Sequence, residues 1–354
     1  MTAPIVRALS MTSSAEGSDT SQTRARTRTF AADAARVAEP ASAKSVTPPI
    51  ASRTSLEELA ALVALLRAQP IPADRIATVA EEVGSAVELV RQLRSGEWSS
   101  PDAQREIGLL DDEVLERAEF DARTWMDQRY DVRTVFDDAY PANLREVFNR
   151  PPFVFVHGEW REDEDSAGIA VVGTRQASGE GLRRAAQLAE GLAKNGVTVL
   201  SGLAAGIDAA AHTAALKAGG RTTAVIGTGI NKMYPAQNAP IAKAITNGAG
   251  ALISQFLPDQ PPTKWTFPKR NVVMSGLSLA TVVIEASWTS GARIQATEAL
   301  RHGRTVYLLR SLVDMHEWAR KYVDEGYRGV KAIELSSIEQ LLENLSVAIP
   351  SLAR

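Results

Sequence analysis

The chain has 354 residues, 45% of them hydrophobic and 23% charged, with no cysteine and a formal net charge of −3. That length can carry two or three domains, and the absence of cysteine excludes a disulfide scaffold, a thiolate nucleophile, a zinc–thiolate site and a cysteine-ligated iron–sulfur cluster. The four histidines, His157, His212, His302 and His316, show no metal-ligand spacing. No apolar run approaches the ~20 residues of a membrane span, and the polar N-terminus reads as lacking a secretory signal. A cytoplasmic protein with no metal, no cofactor and no membrane partner is expected.

Residues 1–50 are rich in Ala, Ser, Thr and Arg, and Phe30 is their only aromatic. They cannot bury enough apolar surface to offset the entropy of ordering, so a disordered tail is expected. From Ser55 the pattern turns helical: Leu56, Leu59, Leu62, Val63, Leu65 and Leu66 form a stripe behind a Ser55/Glu58 capping box. Pro70 and Pro72 end that helix, and helices over Ala73–Val83 and from Gly84 to about Arg94 follow, predicting a small all-α domain over 51–98. Residues 99–150 are expected to be an acidic helical and linker segment, solvent-facing to about residue 130, that leads into a sheet.

After Pro152 the period changes. Strand-like runs at Phe153–Val156, Gly168–Val172, Val197–Leu200, Thr222–Ile226, Ala251–Phe256, Leu279–Glu285 and Thr305–Leu309 are separated by helical stretches. This alternation specifies an α/β fold with a doubly wound parallel sheet over 151–310. Residues 311–354 are expected to form a helical extension that includes Ile338–Leu345.

The near-neutral total charge conceals a basic centre: residues 167–310 carry fifteen basic and six acidic side chains, a local +9 that suits a polyanionic partner. Ligands of open parallel sheets bind outside the carboxyl ends of the strands. There the chain places Thr174-Arg175 before a helix, the glycine-rich run from Ser201-Gly202 through Gly206 to Asp208, Gly227-Thr228-Gly229, and Ser290-Gly291 with Arg293. Each is a turn suited to a phosphate. Walker A and G-x-G-x-x-G fingerprints are missing, which disfavours ATP hydrolysis and dinucleotide redox chemistry.

Lys264, Trp265, Phe267, Lys269, Arg270 and Asn271 place three cations, two aromatics and an amide within eight residues at a helix start. Cations track a sugar-phosphate backbone, and aromatics offer faces to unpaired bases. Asp208 and His212 have acid–base spacing, but bracing by Asp208 and packing by His212 is the preferred expectation. Gly206, Asp208, Gly227, Gly229 and Glu285 are expected to brace the turns, and no convincing catalytic residue emerges.

In order, Val171-Val-Gly-Thr-Arg175, Ser201-Gly-Leu-Ala-Ala-Gly-Ile-Asp-Ala-Ala-Ala-His212, Thr223-Ala-Val-Ile-Gly-Thr-Gly229, Tyr234-Pro235 with Asn238, Phe267-Pro-Lys-Arg-Asn271, Ser275-Gly-Leu-Ser278, Val283-Ile-Glu-Ala286 and Ser290-Gly291 resemble the DNA-processing protein A family, DprA or Smf. The resemblance implies an extended Rossmann-like domain preceded by a small SAM-like helical domain. It further implies single-stranded DNA binding, homodimerisation and loading of a RecA-type recombinase in natural transformation, without bond-breaking chemistry. By motif position, DNA phosphates would meet Thr174, Arg175, Lys269, Arg270 and Asn271, with Ser290 and Gly291 nearby.

The chain departs from the family pattern at Thr174, Ala205, Val272, the Ser290–Gln295 run and Leu308–Ser311, and its tail resembles no winged helix. The full set expected at the DNA is Thr174, Arg175, Ser201, Gly202, Lys264, Phe267, Lys269, Arg270, Asn271, Ser290, Gly291 and Arg293. Two alternatives stand beside a recombination mediator: a phosphoribohydrolase-like nucleotide-binding enzyme using Glu285, and a divergent DprA-like protein acting in defence or as a nucleotide-sensing scaffold.

Overall fold

The computed structural model describes residues 54–98 and 109–346; the expected tail over 1–50 lies outside them. Four helices come first: α1 (Leu56–Ala68), α2 (Ile76–Val83), α3 (Ala86–Ser95) and α4 (Asp112–Asp127). Ser55 caps α1 by accepting the Glu58 amide at 3.2 Å. The capping box is only half made, because the Glu58 carboxylate turns away and accepts the Ala86 amide at 2.7 Å, capping α3 instead. The acidic stretch is not simply solvent-facing either. Ala118, Ala122 and Trp125 of α4 are buried, and Trp125 meets the Phe155 ring edge-on at 5.2 Å. Helical spacing lets one face stay acidic while the other packs.

The chain then runs β1 (Asp131–Thr134), α5 (Ala142–Arg145), β2 (Phe153–Gly158), α6 (Glu162–Asp165), β3 (Ile169–Val172), α7 (Gly179–Lys194), β4 (Val199–Ser201), α8 (Ile207–Lys217), β5 (Thr222–Val225), α9 (Ala239–Ala244), β6 (Ala251–Ser254), α10 (Thr266–Leu277), β7 (Ala280–Val283), α11 (Gly291–Arg301), β8 (Thr305–Leu309), α12 (Arg310–Met315), α13 (Glu317–Asp324), β9 (Ile333–Leu335) and α14 (Ile338–Ser346). The strands form one sheet in the order β1-β2-β6-β5-β4-β3-β7-β8-β9. The β1–β2 and β2–β6 pairs are antiparallel, and the remaining pairs are parallel. The architecture is α/β and mostly parallel, with the helical region ahead of it.

Residues of β3 alternate between two cores. Ile169 and Val171 pack with Leu182, Leu188 and Leu192 of α7 and Leu341 of α14, whereas Ala170 and Val172 share the other core with Val273, Met274 and Leu277 of α10 and Trp318 of α13. Coverage on both faces explains why the strand is apolar throughout, and each large side chain buried there contributes about 1.5–3 kcal/mol. A third core joins α1–α4 to Phe153, Phe155 and Leu252 at the β2–β6 end.

Two strands were not anticipated. β1 falls in the segment expected to be helical and linker, and β9 in the expected helical extension. Both are edge strands of only four and three residues, too short for a period-2 signal to stand out.

The sheet's connectivity locates the site. From β3 the chain winds one way through β4, β5 and β6, then returns to β7 on the opposite flank of β3 and continues outward to β8 and β9. The switch point lies between β3 and β7, and the turns leaving these strands flank it.

Candidate nucleic-acid interface

The carboxyl ends of β5, β4, β3 and β7 lie side by side, and the start of α10 lies over the first two. The Phe267 ring sits over Gly227 at the end of β5, where a Cβ would lie 2.7 Å from the ring edge. One helical step later, the Arg270 guanidinium lies against Gly202 at the end of β4, on ground a Cβ would occupy. From the turn after β3, the Arg175 guanidinium stacks on Phe267 with its carbon 4.7 Å from the ring centroid. Tyr234 flanks the same ring at 6.0 Å.

On the outer side, Lys264 lies 4.8 Å from the Trp265 ring, which is 67% exposed, and Lys269 is exposed beside it. The turn after β7 is tied to the turn after β3 by the Thr174 amide, which donates to the Glu285 carbonyl at 2.7 Å. It carries Trp288, 62% exposed, with the Arg293 guanidinium 4.3 Å from its centroid. Arg175, Lys264, Lys269 and Arg293 meet no carboxylate among the described residues. Close by, Arg183 and Arg184 both pair with Glu180, and Arg301 pairs with Glu298.

Beneath this outer layer is a buried polar one. Arg270 is 9% exposed; its guanidinium donates to the Val225 carbonyl at 2.6 Å and to the Asn271 side chain at 3.2 Å. The Asp208 carboxylate accepts the amides of Gly202 and Ala204 at 3.1 and 3.3 Å. Burial pushes its carboxyl above the usual range, against the pull of Arg270 and of those amides. Burial also lowers the Arg270 guanidinium, and nearby Asp208 opposes that shift.

His212 makes no bond to Asp208. Its Nδ1 lies 2.7 Å from the Thr222 hydroxyl, and because that hydroxyl donates to the Val199 carbonyl, Nδ1 is the donor. Burial, with Arg270 adding to it, brings the His212 pKa down to about 3 and keeps the ring neutral. Asn238 closes the layer by donating to the carbonyls of Leu203 and Ala204 at 2.8 and 3.0 Å. Gly206, at φ +81°, begins α8 against the backbone of Thr174 and Arg175, where a side chain would be strained. Gly229 is buried, and its amide donates to the Gln260 carbonyl at 2.9 Å.

Of the twelve residues expected at the DNA, the structure exposes Arg175, Lys264, Lys269 and Gly291. Thr174, Phe267, Ser290 and Arg293 are half-buried along the same edge. Ser201, Gly202, Arg270 and Asn271 are interior. The Ser201 hydroxyl is spent on the Val171 carbonyl at 2.7 Å, and Arg270 and Asn271 follow Lys269 round the helix onto its buried side.

Two of the four backbone cradles are filled. The Ser178 amide and hydroxyl, at the start of α7, donate to the Glu285 carboxylate at 3.1 and 2.9 Å, as the Gly202 turn does to Asp208. Two of the anion-suited turns therefore hold carboxylates of the chain itself, which leaves the unpaired side chains and the remaining turns, such as Ser290-Gly291, to face an outside phosphate. Trp265, Trp288 and Tyr234, 44% exposed, were missing from the expected set. Hydrophobicity alone assigns such residues to the core, and only the cations beside Trp265 in sequence hint otherwise.

A Ser–His–carboxylate chain lies elsewhere. The Ser275 hydroxyl is 2.9 Å from His302 Nδ1, and His302 Nε2 is 3.3 Å from Glu298. Ser275 and the His302 side chain are fully buried, so no substrate reaches them. Among the described residues no helix is long and apolar enough to cross a membrane, and no cluster of three potential metal ligands forms.

Comparison with known proteins agrees with this architecture. The chain is 36% identical to protein Smf of Escherichia coli over 228 residues, spanning 64% of this chain but 59% of that protein. It is 37% identical to DNA processing protein DprA of Streptococcus pneumoniae over 201 residues, or 56% of this chain and 70% of that one. The X-ray structure of the pneumococcal protein superposes with a TM-score of 0.64 at 27% identity, covering 82% of this chain and 98% of that chain. DNA processing protein A of Helicobacter pylori shares the fold, with a TM-score of 0.54 at 22% identity, covering 62% of this chain and 98% of that one. The family described as DNA recombination-mediator protein A matches residues 131–345, and the chain belongs to that family.

Proposed function

We propose that this chain binds single-stranded DNA across the carboxyl edge of its sheet and, as a cytoplasmic homodimer, hands the strand to a RecA-type recombinase in transformation or recombination, breaking no bond. The observation that carries the reading is the row of cations unpaired among the described residues, Arg175, Lys264, Lys269 and Arg293, with the exposed rings of Trp265 and Tyr234 set beside them. Cations without carboxylate partners keep their full attraction for phosphates, and open ring faces accept unstacked bases of any sequence. A duplex hides its base faces, so the rings favour the single strand. The Helicobacter pylori relative was solved for its single-stranded DNA binding mode; that property is its own, and here the reading rests on the residues named.

In this reading Thr174, Ser290 and Gly291 border the strand, while Ser201, Gly202, Arg270 and Asn271 hold the edge in shape. Helices α1–α3, within the expected 51–98 domain, act as a SAM-like module docked beside the sheet.

Fluorescence anisotropy with labelled oligo-dT and a matching duplex, across a salt titration, tests the proposal. Wild type should prefer the single strand, with a log–log salt slope near −3 for about four neutralised phosphates. Arg175→Ala should weaken binding roughly tenfold with melting temperature unchanged. Equal affinity for duplex, or no effect of Arg175→Ala, refutes the site.

A further inference from the structure

We infer that Trp288 and Arg293 form a second stacking station, so that a bound strand is gripped on both flanks of Arg175. This rests on the DNA-binding reading above and adds to it a base contact on the β7 side of the switch point.

The turn carrying Trp288 is pinned before any ligand arrives. Its first residue, Glu285, is held through its carbonyl by the Thr174 amide and through its carboxylate by Ser178. Its last residue, Ser290, donates its amide to the Ser287 carbonyl at 3.1 Å and caps α11 by accepting the Ala292 amide at 3.2 Å. Arg293 reaches back from α11, and its Nε donates to the Trp288 carbonyl at 2.7 Å. A ring left 62% exposed on so restrained a backbone is presented to solvent, and its ordering cost is already met within the fold.

The partner's chemistry follows from the pair. The Arg293 guanidinium covers one ring face, leaving the other for a flat π-system, and its terminal nitrogens make no bond among the described residues. A planar face beside free cationic donors fits a base with its adjoining phosphate. The flanking Ser287, Thr289, Ser290 and Gly291 offer little to an apolar protein surface, and exposed Ile294 is the sole large apolar residue nearby in sequence. Three strand spacings of ~4.8 Å separate β5, under Phe267, from β7, roughly 14 Å, a span of about four stacked nucleotides.

The test compares a 15-mer of thymidylate with a 15-mer of abasic sugar-phosphate, using wild type, Trp288→Ala, Trp288→Phe and Arg293→Ala, each verified by thermal melting. Trp288→Ala should weaken thymidylate binding at least about fivefold and leave abasic binding within about twofold, and Trp288→Phe should restore most of the loss. Arg293→Ala should reduce the salt slope by about 0.7. Unchanged thymidylate affinity in Trp288→Ala, or equal loss on both ligands, overturns the station while wild-type binding keeps the DNA reading intact. A change confined to the sedimentation of Trp288→Ala also overturns it, in favour of a protein contact. Wild type that binds neither oligomer removes the DNA reading, and the station with it.

Discussion

The carboxyl edge of the sheet has two layers, and consecutive residues of α10 fall into different ones. Lys269 stands in solvent with no carboxylate partner among the described residues, whereas Arg270 is buried against Gly202 with Asp208 as its neighbouring countercharge. Both are cations in one motif, and only the outer one is free to meet a ligand. The inner layer, made of Arg270, Asp208, His212 and Asn238, holds the backbone whose side chains the outer layer presents. Charge type alone therefore does not distinguish a contact residue from a framework residue at this edge.

Substituting the pair separates the layers most sharply. Arg270→Met leaves the buried Val225 carbonyl without its donor and removes the cation nearest Asp208, and should cost about 1–3 kcal/mol in denaturant unfolding. Lys269→Met should leave unfolding unchanged, weaken oligo-dT binding several-fold and reduce the salt slope by about 0.7. If Lys269→Met destabilises the fold while Arg270→Met does not, the assignment of layers is reversed.

An intermediate effect comes from pH. His212 has a folded pKa of about 3 against an ordinary 6.5, so between those values the unfolded chain takes a proton that the folded chain refuses. Its contribution is complete above the ordinary value and is lost as pH falls toward 3. Asp208, raised by burial, acts in the opposite sense, its contribution fading as pH rises through its folded value. His212→Asn keeps a donor toward Thr222, and its stability should fall less between about pH 7 and pH 4 than that of wild type. Parallel curves would show that His212 is not the group responsible.

The smallest effect is expected for Glu285→Gln, which keeps an acceptor for Ser178 but removes the charge at the start of α7. A loss of about 1 kcal/mol is expected by thermal or denaturant unfolding. A several-fold loss of oligo-dT affinity at unchanged stability would place Glu285 in the outer layer.

The parallel sheet was legible because runs such as Ile169–Val172 are apolar at every position, the mark of a strand covered on both faces. The edge strands β1 and β9 were not, since so few residues carry no period. At the site, the chemistry of the cations was legible but not their direction. Lys269 and Arg270 differ by one position, and which of them faces inward depends on how α10 lies across β4. Trp288 was harder still, because nothing in its neighbours distinguishes a presented ring from a packed one until the turn from Glu285 to Ser290 is seen pinned.

The carboxylates of Glu285 and Asp208, seated on backbone amides, bear on what kind of anion the proposed interface would take. A compact dianion such as a free nucleotide's terminal phosphate needs a concentrated nest of donors, and the chain has filled two such nests itself. The remaining cations are spread along the edge, each suited to one singly charged linkage of a polymer. In the proposed DNA-binding reading, this occupation disfavours dissolved mononucleotides relative to a strand.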